Sequence, residues 1–204
     1  MIDRLVIDAL AVHRGDRLLF RALNLAVEAG EAVALTGANG VGKTSLLRAL
    51  AGFIRPTAGT IAFTGPAGPL DADAARRGGC HLIGHQDALK AGRTARAELL
   101  FQTRWADGDS ATALDAARRL GIERALDLEV RKLSAGQRRR LALCRLIAAP
   151  RALWLLDEPL APLDHAGRAL VASAMTDHLA GGGLILAAIH DRLAIPARDV
   201  ELGA

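Results

Sequence analysis

Three short stretches of the chain are apolar without interruption, and each ends on a glycine or a polar residue. Residues 32–36 run into Gly37, 152–156 into Asp157-Glu158, and 184–189 into His190. An apolar run with no polar alternation is buried on both faces, which predicts strands of a parallel sheet. Open α/β sheets bind ligands at the carboxyl ends of such strands. The pattern therefore predicts that Gly37, Asp157 and His190 converge on one ligand.

Elsewhere the period changes. Residues 5–12, 22–27 and 60–64 read as strands, and Leu23, Leu25 and Val27 alternate with polar or small residues. Alternation of this kind suits a half-exposed antiparallel sheet. Turn signals fall at Gly15-Asp16, Ala29-Gly30-Glu31 and Pro56 to Gly59, and residues 65–69 read as a loop. A short buried strand lies within 79–85. Residues 93–103, 110–120 and 123–128 read as short amphipathic helices, with Ser110 as an N-cap and Gly121 as a C-cap. Residues 137–149 form a strong helix with Leu141, Cys144, Ile147 and Ala148 on one apolar face, stopped by Pro150. The expected fold class is α/β: a P-loop NTPase core at about 32–57, 66–86 and 145–204. An antiparallel β-subdomain (about 1–31 and 58–65) and a short α-helical subdomain (about 87–144) complete it.

The chemistry starts where the first buried strand ends. Gly37-Ala38-Asn39-Gly40-Val41-Gly42-Lys43-Thr44 fits G-x-x-x-x-G-K-[ST], between a predicted strand and a helix that begins near Ser45. Its glycines let backbone N–H groups surround a phosphate, with the positive end of the helix behind them. Lys43 is expected to reach the β- and γ-phosphates and Thr44 to offer its hydroxyl to Mg²⁺. Asp157 fits a second Mg²⁺ ligand, and Glu158 the general base or the group that orients the attacking water. His190, at the same sheet edge, is expected to contact the γ-phosphate. Gln86, at a fourth strand end, is expected to touch Mg²⁺ or that water. Leu133-Ser134-Ala135-Gly136-Gln137 opens a long helix with small residues, so its N-terminus is expected to be bare and able to bind an anion. With the first loop already holding the phosphates, Ser134, Gly136 and Gln137 are expected to reach the nucleotide of a second copy. That predicts a head-to-tail homodimer with two ATP molecules sandwiched between its halves.

Composition narrows the alternatives. The 204 residues suffice for one core domain, and no 18 uninterrupted apolar residues occur that could span a membrane. Met1 to Leu5 lacks the basic-then-apolar pattern of a signal peptide, which predicts a cytoplasmic location. Net charge is +4, but aromatics are 3% and Tyr is absent, so a stacking platform for nucleic acid is not expected. Cys80 and Cys144 read as buried thiols rather than a disulfide or zinc pair.

Taken in order, Gly37–Thr44, Gln86, Leu133–Gln137, residues 153–158, Ala161-Pro162-Leu163-Asp164 and His190 resemble the motif set of ABC transporter ATPase subunits over essentially the whole chain. More narrowly, residues 82–90, 133–143 and 153–159 resemble the ATPases of cytochrome c maturation, the haem-exporter subunits. The resemblance implies a RecA-like core, ATP and Mg²⁺ as cofactors, and a membrane-embedded permease partner docked on the helical insert near Gln86. It also implies a peripheral place on the cytoplasmic face of the inner membrane. The alternatives are an ABC ATPase for another cargo (an amino acid, metal or lipoprotein) and a soluble ABC-type protein of DNA repair or ribosomes. Two departures stand out. ABC ATPases usually stack the adenine on an aromatic residue ahead of the P-loop, and Val12-His13-Arg14-Gly15 has none, leaving His13 or Arg14 for that role. The residues before Asp164 are Ala-Pro-Leu rather than Ser-Ala-Leu. Direct haem binding by Cys80, His81 and His85 is not expected, because His81 falls in a buried-strand pattern.

Overall fold

The computed structural model describes residues 1–203. The chain opens with β1 (Arg4–Arg14), β2 (Arg17–Glu28), β3 (Ala32–Thr36), α1 (Lys43–Leu50), β4 (Ala58–Gly65), β5 (Gly68–Leu70), α2 (Ala72–Gly79) and β6 (Cys80–Ile83). It continues with α3 (Ala95–Trp105), α4 (Ser110–Arg119) and α5 (Ala135–Ala148), then β7 (Leu153–Asp157), α6 (His165–Ala180), β8 (Leu184–Ala188) and β9 (Arg198–Glu201). Two compact units divide it. One holds residues 1–82, 151–158 and the chain from Asp177 on; the other holds 83–150 and 159–176.

The first unit contains both sheets. Strands β2-β1-β4-β5 form an antiparallel sheet, with Leu5 opposite Val27 on one side and Phe63 on the other. The second sheet runs β6-β7-β8-β3-β9, and its β7–β8, β8–β3 and β3–β9 pairs are parallel. Every residue of β7 and β8 is buried, as the unbroken apolar runs predict. Leu5, Ile7, Leu10 and Val27 of the antiparallel sheet share one core with Val33, Leu35, Leu155 and Leu186 and with Leu46, Leu47 and Leu50 of α1. Each such side chain contributes roughly 1.5–3 kcal/mol by leaving water. This core anchors the strands whose ends carry the chemistry.

The second unit is helical. α5 packs against α3 and α4. Leu141, Leu143, Cys144, Leu146 and Ala148 are buried along it, whereas Ile147, expected on the apolar face, is only half-buried. Cys80 and Cys144 are unpaired and buried, and burial pushes both thiols up to about 12. No helix among the described residues is long and apolar enough to cross a membrane.

Several local expectations are corrected. Asp109, not Ser110, caps α4, because its carboxylate accepts the N–H groups of both Ala111 and Thr112. Leu120 is the C-cap, and Gly121 follows it at φ 61°, the left-handed position just past a helix end. Residues 123–128 hold only a 3₁₀ turn at Glu123–Ala125. The predicted loop at 65–69 closes a hairpin, with Gly65 opposite Gly68 across β4 and β5. Strand β9 has no signal in the sequence, since Arg198, Asp199 and Glu201 are exposed along a sheet edge and leave no apolar period. Helices α2 and α6 are likewise additions to the expected elements; short Ala and Gly residues blur the helical period in both.

Candidate nucleotide site

The carboxyl ends of three adjacent strands stand level. Ala188 of β8 pairs with Asp157 of β7 on one side and with Leu35 of β3 on the other. Gly37, Glu158 and His190 therefore leave the sheet beside one another.

Backbone geometry explains why the loop after β3 is glycine-rich. Gly37 sits at φ 120°, and a Cβ there would lie 2.6 Å from the Leu202 carbonyl oxygen. Gly42 sits at φ 119°, and a Cβ there would press on the Phe20 ring at 3.1 Å. Gly42 is also the N-cap of α1 and supplies no capping side chain, so the first-turn N–H groups face the loop without one. Lys43 is buried, and its Nζ donates to the Gly37 carbonyl at 2.6 Å and the Ala38 carbonyl at 3.3 Å. The loop thus wraps its own cation.

Thr44 Oγ1 donates to Asp157 Oδ2 at 3.0 Å, across 113 positions of sequence. Asp157 is itself 5% exposed. Next to it Glu158 adopts φ 49°, the left-handed region that non-glycine residues occupy at a cost of about 1–2 kcal/mol. Its N–H donates to the Ala188 carbonyl at 2.9 Å, which holds that conformation. Glu158 Oε1 lies 3.4 Å from His190 Nε2. Burial pushes the Glu158 carboxyl above the ordinary glutamate value; Asp157 adds to the rise, while His190 and Lys43 oppose it. Lys43, Thr44, Asp157, Glu158 and His190 are thus assembled in one unit.

The remaining predicted residues lie in the other unit. Gln86 is exposed on a bend just after β6. Ser134 is the N-cap of α5: its hydroxyl accepts from the Gln137 N–H at 3.2 Å, and Gln137 Oε1 accepts from the Ser134 N–H at 2.9 Å. The expectation of a bare helix start is therefore wrong, because a capping box closes it. Gly136 has a packing role that the sequence does not show: a Cβ there would lie 3.1 Å from the Pro162 carbonyl oxygen.

Two residues beside the loop carry no signal in the sequence. Leu202, following β9, is buried and presents its carbonyl to Gly37, and Phe20 of β2 packs on Gly42. Both lie outside the motif, one in β2 and one just after β9, and no local pattern marks them. His13 is exposed, with Nδ1 3.0 Å from Thr57 Oγ1. His81 is buried and His85 exposed, and among the described residues no group of three or more His, Cys, Asp or Glu has metal-holding geometry.

The family described as ABC transporter matches residues 20–161. The Cytochrome c biogenesis ATP-binding export protein CcmA of Rhodopseudomonas palustris (strain BisB5) is 45% identical over 191 residues, 94% of each chain. The protein of the same name from Nitrobacter winogradskyi is 44% identical over 98% of each chain. Among solved structures, a putative ABC transporter (ATP-binding protein) from Pyrococcus furiosus superposes with a TM-score of 0.83 at 19% identity, over 98% of this chain and 97% of that one. A bacterial Atm1-family ABC exporter with ATP bound superposes with a TM-score of 0.82 at 21% identity, covering 98% of this chain and 37% of the exporter chain. The structural matches establish the fold, a P-loop NTPase core with an antiparallel sheet, and the sequence matches establish more: the chain belongs to the ABC transporter family, within its group of cytochrome c biogenesis ATP-binding export proteins.

Proposed function

We propose that the chain is the ATP-hydrolysing subunit of a membrane transporter complex that serves cytochrome c maturation, in haem export or release of a haem chaperone. The level ends of β3, β8 and β7 carry the reading, because they bring a phosphate loop, two carboxylates and a histidine together. ATP lies with its β- and γ-phosphates along Gly37 to Ser45, held by backbone N–H groups and by Lys43 Nζ. Lys43 leaves the Gly37 and Ala38 carbonyls for phosphate oxygens, a stronger charge-assisted contact.

One hydroxyl and one carboxylate 3.0 Å apart suit Mg²⁺, which takes a few hard oxygen ligands and keeps the rest for water and phosphate. Thr44 and Asp157 would hold it, and when bound it would offset charge on the phosphates. Glu158 accepts a hydrogen bond from the attacking water and draws off its proton as oxygen bonds to the γ-phosphorus. The bond to the β,γ-bridging oxygen breaks, and ADP carries that electron pair away. A raised carboxyl makes Glu158 a stronger base than a solvated glutamate. His190 orients Glu158 and donates to the γ-phosphate.

A second copy completes the site. The Ser134 hydroxyl accepts within its own capping box and keeps its hydrogen to donate. With the backbone of Gly136 and the Gln137 side chain, it contacts the γ-phosphate bound by the partner copy. The chain reaches the cytoplasmic face of the inner membrane through a permease subunit docked on the helical unit near Gln86. The test is purification of the complex through a tag on this chain. We expect a permease of the cytochrome c maturation system to co-purify, with ATPase activity that falls at least roughly 100-fold in Glu158→Gln while ATP binding persists. Recovery of a permease for an amino acid, metal or lipoprotein would reassign the cargo. Unchanged turnover in Glu158→Gln would remove the catalytic reading.

A further inference from the structure

Arg139, on the second turn of α5, is the largest fully buried side chain of the described residues, at 2% exposure. A guanidinium is strongly disfavoured in such a place unless its donors are matched. Three of its hydrogen bonds reach two separate loops. Nε donates to the Pro159 carbonyl at 3.2 Å, and Nη1 donates to the Gly84 carbonyl at 2.8 Å and to Asp87 Oδ1 at 3.0 Å. Gly84 and Asp87 bracket Gln86. Pro159 directly follows Glu158 in the chain. Ser134, five residues before Arg139, caps the same helix. One buried cation therefore ties together the start of α5, the Gln86 bend and the peptide that leaves Glu158.

The segment beyond Pro159 is pinned as well. Gly136 approaches the Pro162 carbonyl, and Asp164 Oδ1 accepts the Gly167 N–H at 2.8 Å, which fixes the start of α6. Residues 159–164 thus have a defined path at both ends. Glu158 needs such a path, because its left-handed backbone must be held from outside. Its N–H is held by Ala188, and Arg139 holds the carbonyl one residue downstream.

We propose that Arg139 is a positioning residue for hydrolysis, fixing the backbone after Glu158 and the Gln86 bend in one arrangement with the start of α5. Planar fork geometry is essential to the role. Lysine carries the same charge, but its three donors radiate from one nitrogen and cannot reproduce the separate Nε and Nη1 positions that meet the two loops. This inference rests on Glu158 being the base, and the experiment separates the two.

The complex is purified with Arg139→Lys, Arg139→Gln, Asp87→Asn and Glu158→Gln, each compared with the parent below its melting temperature. Both Arg139 variants are expected to lower kcat roughly tenfold, since a misplacement of about 1 Å can cost more than that. KM for ATP and binding of a non-hydrolysable ATP analogue stay within about twofold, because the phosphate loop is untouched. Asp87→Asn keeps the shape but weakens one anchor, and gives a smaller loss in the same direction. In the Glu158→Gln background, Arg139→Lys adds no further loss, because the two act on one step. A parent-like kcat per folded molecule in Arg139→Lys overturns the proposal, as does a loss expressed only in KM. If Arg139→Gln does not fold, Arg139→Lys and Asp87→Asn decide. Parent-like turnover in Glu158→Gln instead removes the base and leaves the effect of Arg139 on kcat to be read by itself.

Discussion

Helices α1 and α5 both start where a phosphate is expected, yet their starts are built in opposite ways. Gly42 caps α1 with no side chain, and the charge beside it is a lysine folded into the loop. Ser134 caps α5 with a complete box, in which Gln137 answers back to the Ser134 N–H. The first start leaves N–H groups to an anion and is tied to the rigid sheet through Thr44 and Asp157. The second is satisfied within its own helix. A phosphate site used in every state can leave its donors open. On the proposed reading the start of α5 meets phosphate only when a second copy approaches, and the capping box would keep it stable alone until then.

Removing Lys43 should break the open start most severely. Lys43→Ala deletes a charge-assisted contact worth about 2–3 kcal/mol. ATP affinity of the isolated subunit should then weaken roughly 100-fold, read by titration with a fluorescent ATP analogue. If Lys43→Ala binds as the parent does, the loop is not the primary phosphate site. The closed start should fail differently. If a second copy completes the site as proposed, Ser134→Arg places a long cation in its way, so hydrolysis by the assembled complex should fall at least about tenfold. ATP binding to the isolated subunit should stay within about twofold, since the proposed phosphate loop before α1 is untouched. Matching losses in both measurements would erase the distinction between the two helix starts.

A smaller change sharpens the same contrast. Ser134→Ala removes the acceptor for the Gln137 N–H and should destabilise the chain by about 1 kcal/mol, visible as a lower melting temperature. Gly42→Ala removes no cap, and its cost should appear in nucleotide binding through the φ of 119° and the Phe20 ring. An Ala variant at Ser134 that melts like the parent would mean that the box is not formed in solution.

The contrast also separates what was legible in the sequence from what was not. Strands β3, β7 and β8 were readable because burial on both faces leaves an unbroken apolar run, and the residues after them could be named at once. The glycines of the loop were readable as a motif, but the atoms that demand them were not. Leu202 follows β9 and Phe20 lies in β2, and only the folded sheet order brings them to the loop. The capping box was in plain view as Ser134 and Gln137, at the spacing that closes such a box, but the small residues between them suggested an open helix end. Arg139 sits among Arg138 and Arg140, and nothing in a run of arginines marks which one turns inward.

Glu158 extends the comparison from helix starts to stored cost. The relaxed start of α5 has no counterpart to its left-handed backbone and raised carboxyl. A carboxyl raised above the ordinary value near 4.5 binds its proton more tightly in the folded chain than in the unfolded one. Across the window from that value up to the raised one, the folded state holds more proton, so stability falls as pH rises. Above the window, ionised Glu158 imposes its full cost; below 4.5 it imposes none. The amide of a glutamine in its place carries no charge at any pH. Glu158→Gln should therefore raise the melting temperature at neutral pH, and the gain should fade as pH falls through the window toward 4.5. Scanning calorimetry of both chains at several pH values reads this directly. A gain that is the same at acid and neutral pH would locate it in packing rather than charge, and no gain at neutral pH would mean that His190 and Lys43 already offset the burial of Glu158.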